Sequence, residues 1–350
     1  MPSDTPAALG YRMPAEWEPH AATWLAWPHN TVTWPDQLAQ VQDLFVHMIA
    51  ALQEHELVHL LVNEAATAAQ VRQRLQRCGT PQERVVVHQW RTADAWLRDS
   101  GPIFVTAAPG VAPPLALHDW GFNAWGGKYA DLLPDNDLPR QIAAYLGVPR
   151  FEPGIILEGG SIDVNGRGTC LTTEQCLLNP NRNPHLQRPD IERFLHDYLG
   201  VHRVIWLGQG IAGDDTDGHI DDIARFVNPT TVLCALAEDP QDPNYAVLQD
   251  NYRRLQAATD QEGRPLQVLA LPMPGQVGPE SARLPASYAN FYIANGVVLL
   301  PIYDHPNDAK ALTLVQDVFA DRRVLALPCE PLVWGLGAIH CVTQQQPASG

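Results

Sequence analysis

Five positions in the sequence bear side chains able to do chemistry together: Asp99, Glu158, His219, Asp221 and Cys341. Cys341 lies in Gly335-Leu-Gly-Ala-Ile-His-Cys-Val-Thr-Gln-Gln-Gln, where flanking glycines let a backbone approach a ligand closely. A thiol of this kind is either a nucleophile or a small packed hydrophobe. His219 and Asp221 form an His-x-Asp pair that would share one face of a strand, as mutually hydrogen-bonded neighbours or as two metal ligands. Glu158 follows the apolar Ile155-Ile-Leu and precedes two glycines, so it reads as a carboxylate at the end of a buried strand or as an acid on a surface turn. Asp99 stands beside Arg98, and a plain ion pair is its simplest reading.

These residues are spread over most of the chain, so the fold must gather them. Strand-like runs such as Arg84-Val-Val-Val-His and Arg203-Val-Ile-Trp-Leu alternate with segments of helical period, which predicts helices over 36–54, 65–77, 137–146, 189–199, 244–260 and 308–320 and a mixed α/β class. A hairpin pattern recurs. It turns at Asn165-Gly166, at Asn228-Pro229 and at Asn295-Gly296, and Asn-Gly suits the positive φ of tight turns. A looser copy runs from Gly101-Pro-Ile-Phe-Val-Thr to Pro114-Leu-Ala-Leu, and a fifth combines Thr23-Trp-Leu-Ala-Trp with Ile339-His-Cys-Val-Thr. Such repetition with little sequence identity is the mark of a propeller or pseudo-symmetric barrel. Polar-glycine clusters precede three of the hairpins, at Arg98-Asp-Ser-Gly-Pro, Glu158-Gly-Gly-Ser and Asp217-Gly-His-Ile-Asp. Units sharing one orientation about an axis would converge these clusters on one central site. Pro and Gly are scattered rather than blocked, so residues 1–350 read as a single domain.

Composition bounds the function. With 45% hydrophobic residues in 350, the chain can bury a large core, which excludes a disordered protein or a small disulfide scaffold. A formal charge of −16 argues against nucleic-acid binding. It suits a small cationic ligand, and it equally suits a solubility device. The apolar run Tyr292 to Tyr303 is broken by Asn295-Gly296 and Pro301 and falls short of the roughly 20 residues of a membrane helix. No export signal is visible, and six cysteines without a CxxC pair fit a reducing cytoplasm.

Taken in order, Arg98-Asp-Ser-Gly-Pro, Glu158-Gly-Gly-Ser-Ile-Asp, Leu178-Asn-Pro-Asn-Arg-Asn-Pro, Asp215-Thr-Asp-Gly-His-Ile-Asp, Tyr303-Asp-His-Pro-Asn-Asp and Ile339-His-Cys-Val-Thr-Gln-Gln resemble the agmatine deiminase and bacterial-type peptidylarginine deiminase family of the guanidine-modifying superfamily. The resemblance spans Trp17 to Gln346. It implies a five-bladed α/β-propeller of ββαβ units about a pseudo-fivefold axis. It implies a cofactor-free, metal-free cysteine hydrolase that deiminates a small cationic guanidine, with agmatine going to N-carbamoylputrescine and ammonia on a route to putrescine. Asp99 and Asp221 would clamp the guanidinium, Trp96 would border it, Cys341 would attack its carbon, and Glu158 with His219 would manage protons. Arginine, peptidyl or free, or another guanidine compound is the alternative substrate; amidino transfer, a binding-only role and a metal-dependent hydrolase built on His219 and Asp221 are further options. Homo-oligomeric assembly is left open. The family usually carries Gly-Gly-Gly-Asn before Ile-His-Cys, where this chain has Gly335-Leu336-Gly337-Ala338. That departure bears on the substrate tail. An arginine carboxylate would need a cation, and Arg98 is the one the motifs offer.

Overall fold

The fold is that of a computed structural model that describes residues 5–349. Its strands form five separate small sheets rather than one large one. Four begin with an antiparallel hairpin: Ile103–Ala107 with Leu115–His118, Asp163–Val164 with Thr169–Thr173, Ala224–Asn228 with Thr231–Leu236, and Tyr292–Ile293 with Val297–Ile302. Each second strand then leads through a helix to a third strand that pairs with it in parallel. The helices are Leu138–Leu146, Arg188–Leu199, Tyr245–Gln256 and Asp308–Val318, and the parallel strands are Arg150–Phe151, Arg203–Leu207, Gln267–Pro272 and Arg323–Pro328. The order follows from chemistry, because a parallel partner needs a crossover of a dozen or more residues whereas a hairpin needs only a tight turn. Asn165, Asn228 and Gly296 take those turns, with Gly296 at φ 72° and the side chains of Asn165 and Asn228 accepting from the amides that follow.

In the fifth sheet the antiparallel pair comes from distant parts of the chain. Gln344–Pro347 lies against His20–Ala26, and helix Leu38–Leu52 leads to the parallel strand Leu57–Val62 and onward through helix Ala65–Arg77 to Val85–Gln89. The predicted helices fall within a few residues of these bounds. Central strands such as Leu57–Val62 and Val297–Ile302 are buried nearly throughout and accordingly read as continuous apolar runs. Tyr292 to Tyr303, the longest such run, is a hairpin. Among the described residues no helix is long and apolar enough to cross a membrane.

One feature positions the site. Every hairpin is entered through a short helical or hydrogen-bonded turn: Leu97–Ser100, Gly159–Ser161, Ile220–Asp222, the Ser287–Asn290 turn, and His340–Val342. All five predicted polar site residues lie in or immediately before four of these turns.

Candidate active site

Cys341 is buried in the turn His340–Val342, not on a strand as its glycine flanks suggested; the strand starts only at Gln344. The difference matters because a turn projects its side chains inward from the end of a sheet, whereas a strand would alternate them between faces. The thiol Sγ lies 3.8 Å from Asp221 Oδ2 and 3.2 Å from Asn290 Nδ2. Asn290 also accepts from the His340 amide at 2.9 Å and donates to Asp222 Oδ1 at 3.0 Å. It therefore holds the Cys341 turn by both ends of its amide. Sequence reading missed it, although its place before the Tyr292 hairpin matches that of the other clusters.

His219 and Asp221 are likewise on a turn and are not bonded to each other. His219 Nδ1 faces Asp99 Oδ2 at 3.7 Å. Asp221 Oδ2 accepts from His340 Nδ1 at 2.7 Å, and His340 Nε2 meets Glu16 Oε2, also at 2.7 Å. Behind the His340 ring, Glu16 pairs with Arg225 at 2.9 Å and Arg225 with Asp163 at 2.6 Å, all buried. Burial raises the Glu16 carboxyl, but Arg225, His340 and Arg98 override it and hold the group well below the usual range. This alternating chain of charges fixes Asp221 from behind. Glu16, Asp163 and Arg225 escaped sequence reading because their partners are 62 to 324 residues away.

Asp99 and Arg98 are adjacent but diverge, since neighbours on a helical turn point about 100° apart. Asp99 accepts from the Gly160 amide and from Trp125 Nε1, each at 2.9 Å. Arg98 instead reaches Gln345 at 2.7 Å, Gln344 at 3.2 Å and Glu16 at 3.5 Å, so it is not an ion pair with Asp99 and it does not reach the cavity. Glu158 is fully buried, which discards the surface-acid reading, and its Oε1 accepts from Arg182 Nε at 2.6 Å. Arg182 belongs to the Leu178-Asn-Pro-Asn-Arg-Asn-Pro motif and also ties down Asp217.

The floor is Gly160. A Cβ there would lie 2.6 Å from His219 Nδ1, 2.9 Å from Asp99 Oδ1 and 3.1 Å from Asp221 Oδ2, so those three groups pack around a residue with no room for a side chain. Above them opens a cavity of about 210 Å³ that reaches Cys341 and Asp99 past Trp96, Trp125 and Leu336. Trp96 leans on Trp34 with ring centres 5.4 Å apart, and Gly337 is required beside it, because a Cβ there would come within 2.6 Å of the Trp96 ring and 3.1 Å of Cys341 Cβ. Leu336 lines the cavity with φ 68°, a left-handed conformation that costs a bulky residue roughly 1–2 kcal/mol.

The electrostatics are set by burial and by acids. Burial pushes the Cys341 thiol up, and Asp221, Asp222 and Asp99 add to the effect, taking it well above its ordinary range. Burial would lower His219, but Asp99, Cys176 and Glu158 outweigh it and raise the imidazole well above 6.5. Asp222, desolvated beside Asp221 and Asp214, is also pushed well up. Two buried carboxylate oxygens accept from nothing, Glu158 Oε2 and Asp221 Oδ1, and His219 Nε2 is also without a partner. An orphaned acceptor in a dry site costs about 1–3 kcal/mol, so the site is built for a ligand that carries donors. Among the described residues, the cluster with metal-ligand spacing is Glu158, Cys176 and His219 rather than a pair built on His219 and Asp221.

A family profile described as Porphyromonas-type peptidyl-arginine deiminase matches residues 12–347. The chain belongs to that family. Agmatine deiminase of Pseudomonas aeruginosa is 40% identical to it, over 99% of this chain and 98% of the relative. The solved agmatine deiminase of Enterococcus faecalis superposes with a TM-score of 0.91 at 35% identity, covering 100% of this chain and 99% of that one. A cysteine-to-serine variant of C. jejuni agmatine deiminase, solved with substrate bound, gives 0.86 at 29% identity, with 97% of each chain covered. These likenesses fix the mixed α/β fold of the family on this chain. Cys341, His219, Asp99, Asp221 and Glu158 are all buried on the turns that enter the hairpins, Trp96 lines the cavity, and Arg98 does not reach it.

Proposed function

We propose that this chain is a cofactor-free cysteine hydrolase that converts agmatine and water to N-carbamoylputrescine and ammonia. It would act as one catalytic domain whose five ββαβ units stand as blades about a pseudo-fivefold axis. The observation that carries the reading is the ring of unpartnered acceptors, Glu158 Oε2 and Asp221 Oδ1 with Asp99 beside them, around a buried thiol. A guanidinium is a planar cation with donors on every edge, and it satisfies such acceptors with charge-assisted bonds.

In this reading the cation also solves the thiol's problem. The acids that raise Cys341 are neutralised on binding, so the thiolate becomes accessible and its proton passes to solvent. The thiolate then forms a bond to the guanidinium carbon, giving a tetrahedral adduct. Protonated His219 donates to the departing nitrogen, the C–N bond breaks, and ammonia leaves a thiouronium on Cys341. Neutral His219 next takes a proton from water; the hydroxide adds to the same carbon, the C–S bond breaks, and the ureido product departs. Glu158, anchored by Arg182, holds the imidazole's charge in place.

The mouth favours an ammonium tail over a carboxylate. Asp131 and Asp215 line it, Asp131 pairs with no cation among the described residues, and Lys128 is committed to Asp215 and Asp217. With Arg98 buried elsewhere, an arginine carboxylate would find acids and no cation among the residues that line the cavity. Ammonia release should be at least about tenfold faster per unit kcat/KM on agmatine than on arginine or a peptidyl-arginine, as a difference of about 1.4 kcal/mol gives. The opposite order would reassign the substrate, and no release from any guanidine would end the deiminase reading.

A further inference from the structure

Cys176 has no part in the reaction sequence above, yet it is fully buried and reaches the site from a different direction. It sits on the short helix Glu174–Leu177, whose start is capped when the Thr173 hydroxyl accepts from the Cys176 amide at 3.1 Å. Glu158, Cys176 and His219 each bring a ligand atom to within 4.8 Å of the other two. Two of these residues carry the buried atoms without partners, Glu158 Oε2 and His219 Nε2, at 0% and 1% residue exposure. The donor set is one carboxylate oxygen, one sulfur and one imidazole nitrogen. Magnesium and calcium take oxygen ligands, whereas zinc accepts all three types, in a tetrahedron with bonds of about 2.0–2.3 Å.

We propose that Glu158, Cys176 and His219 form an inhibitory zinc site, with a fourth position left to water. Ligands in a tetrahedron of those bond lengths lie ~3.5 Å apart, so the side chains must draw in by about an ångström, which rotamer adjustment supplies. Zinc takes a thiolate and a bare imidazole nitrogen, so any proton on Cys176 Sγ or on the ligating His219 nitrogen passes to solvent as the metal binds. The Arg182 bond uses the other oxygen of Glu158 and need not break. A metal on His219 stops proton transfer and competes with a guanidinium for Glu158. Only this inhibitory effect rests on the deiminase reading; the site itself does not.

The test titrates Zn²⁺ into the metal-free protein against a chromophoric chelator, in parallel with ammonia release from the best guanidine substrate. Wild type and Cys341→Ala should each bind one zinc per chain. Cys176→Ser, which nearly keeps the side-chain shape, and Cys176→Ala, which removes the ligand outright, should bind at least tenfold more weakly, and the zinc concentration that halves turnover should shift with them. Melting curves confirm that each variant is folded. Wild-type zinc affinity in both Cys176 variants overturns the proposal, as does loss of the site in Cys341→Ala, which would make the nucleophile the ligand. A protein that releases no ammonia still yields the zinc titration, so failure of the activity and failure of the site are distinguishable.

Discussion

Asp99→Asn separates the charge at the guanidinium from the shape of the pocket. Both carboxylate oxygens of Asp99 accept a hydrogen bond, one from the Gly160 amide and one from Trp125 Nε1, each at 2.9 Å. An asparagine can accept only one of them, and its NH₂ must face the other donor. Losing a bond to a charged acceptor costs about 1.5–3 kcal/mol. A second effect opposes this. Burial raises the Asp99 carboxyl, with Asp221 and Glu158 adding to it against His219 and Trp125. A carboxyl whose folded pKa is raised stabilises the fold below its unfolded pKa of about 3.9 and loses that contribution as pH climbs through the folded value. At neutral pH the ionised Asp99 is therefore a net cost that the amide removes. The two effects largely cancel, and the melting temperature should move by no more than about 5 °C, given roughly 2–4 °C per kcal/mol for a chain of this class. Catalysis has no such compensation. Without its charge the clamp loses about 2.7 kcal/mol of pairing, a hundredfold at 1.36 kcal/mol per decade. Calorimetry and ammonia release on one preparation read both quantities. Near-normal kcat/KM would show that Asp99 is not a clamp, and a fall of 15 °C or more would show that its role is structural.

Cys341→Ala should abolish turnover with the fold intact, and a substrate-derived mass adduct seen on the wild-type chain should vanish; Cys170 and Cys234, fully buried in sheets, should cost stability rather than chemistry when replaced, and residual turnover above about a thousandth in the Cys341 variant would refute covalent catalysis. Because burial and then three aspartates hold the Cys341 thiol up, thiolate appears only at high pH, so the rate of alkylation by neutral iodoacetamide should still be rising at pH 9.5; a plateau below pH 8.5 would refute it. Gly160→Ala forces a methyl to within 2.6 Å of His219 Nδ1, and since overpacking of this kind costs about 1–3 kcal/mol, kcat should drop at least tenfold, which near-wild-type kcat would contradict.

Local signals were legible where local chemistry decides structure. The three asparagine turns, the helix at 65–77 and the strand at 203–207 follow from residues that touch their own neighbours. The fifth unit, whose halves lie at opposite ends of the sequence, was read with Ile339–Thr343 as its second half, whereas the strand that pairs with His20–Ala26 is Gln344–Pro347. The backbone at the nucleophile was not legible. Ile-His-Cys-Val-Thr has the β-branched composition of a strand, but the amides of His340 and Cys341 bond to Asn290, and that tertiary contact turns the chain before the strand begins. Trp125, Asn290 and Arg182 act through partners 24 to 51 residues away, and His340 through Glu16 at a separation of 324. No spacing rule reaches such distances.

The pairing of Gln344–Pro347 with His20–Ala26 has a consequence for how activity arises. Gln344 lies against Trp24, so this closure spans 320 positions, and contacts so distant in sequence are slow to form. The nucleophile's turn immediately precedes that strand, and Arg98 is bonded to Gln344 and Gln345 within it. A nascent or refolding chain that has completed the other four sheets would have Asp99, Glu158 and His219 in place and still lack a positioned thiol and the His340 that anchors Asp221. Regain of turnover after dilution from denaturant should therefore trail the recovery of helical signal, and shaving the final strand should silence the enzyme while leaving most of the fold standing.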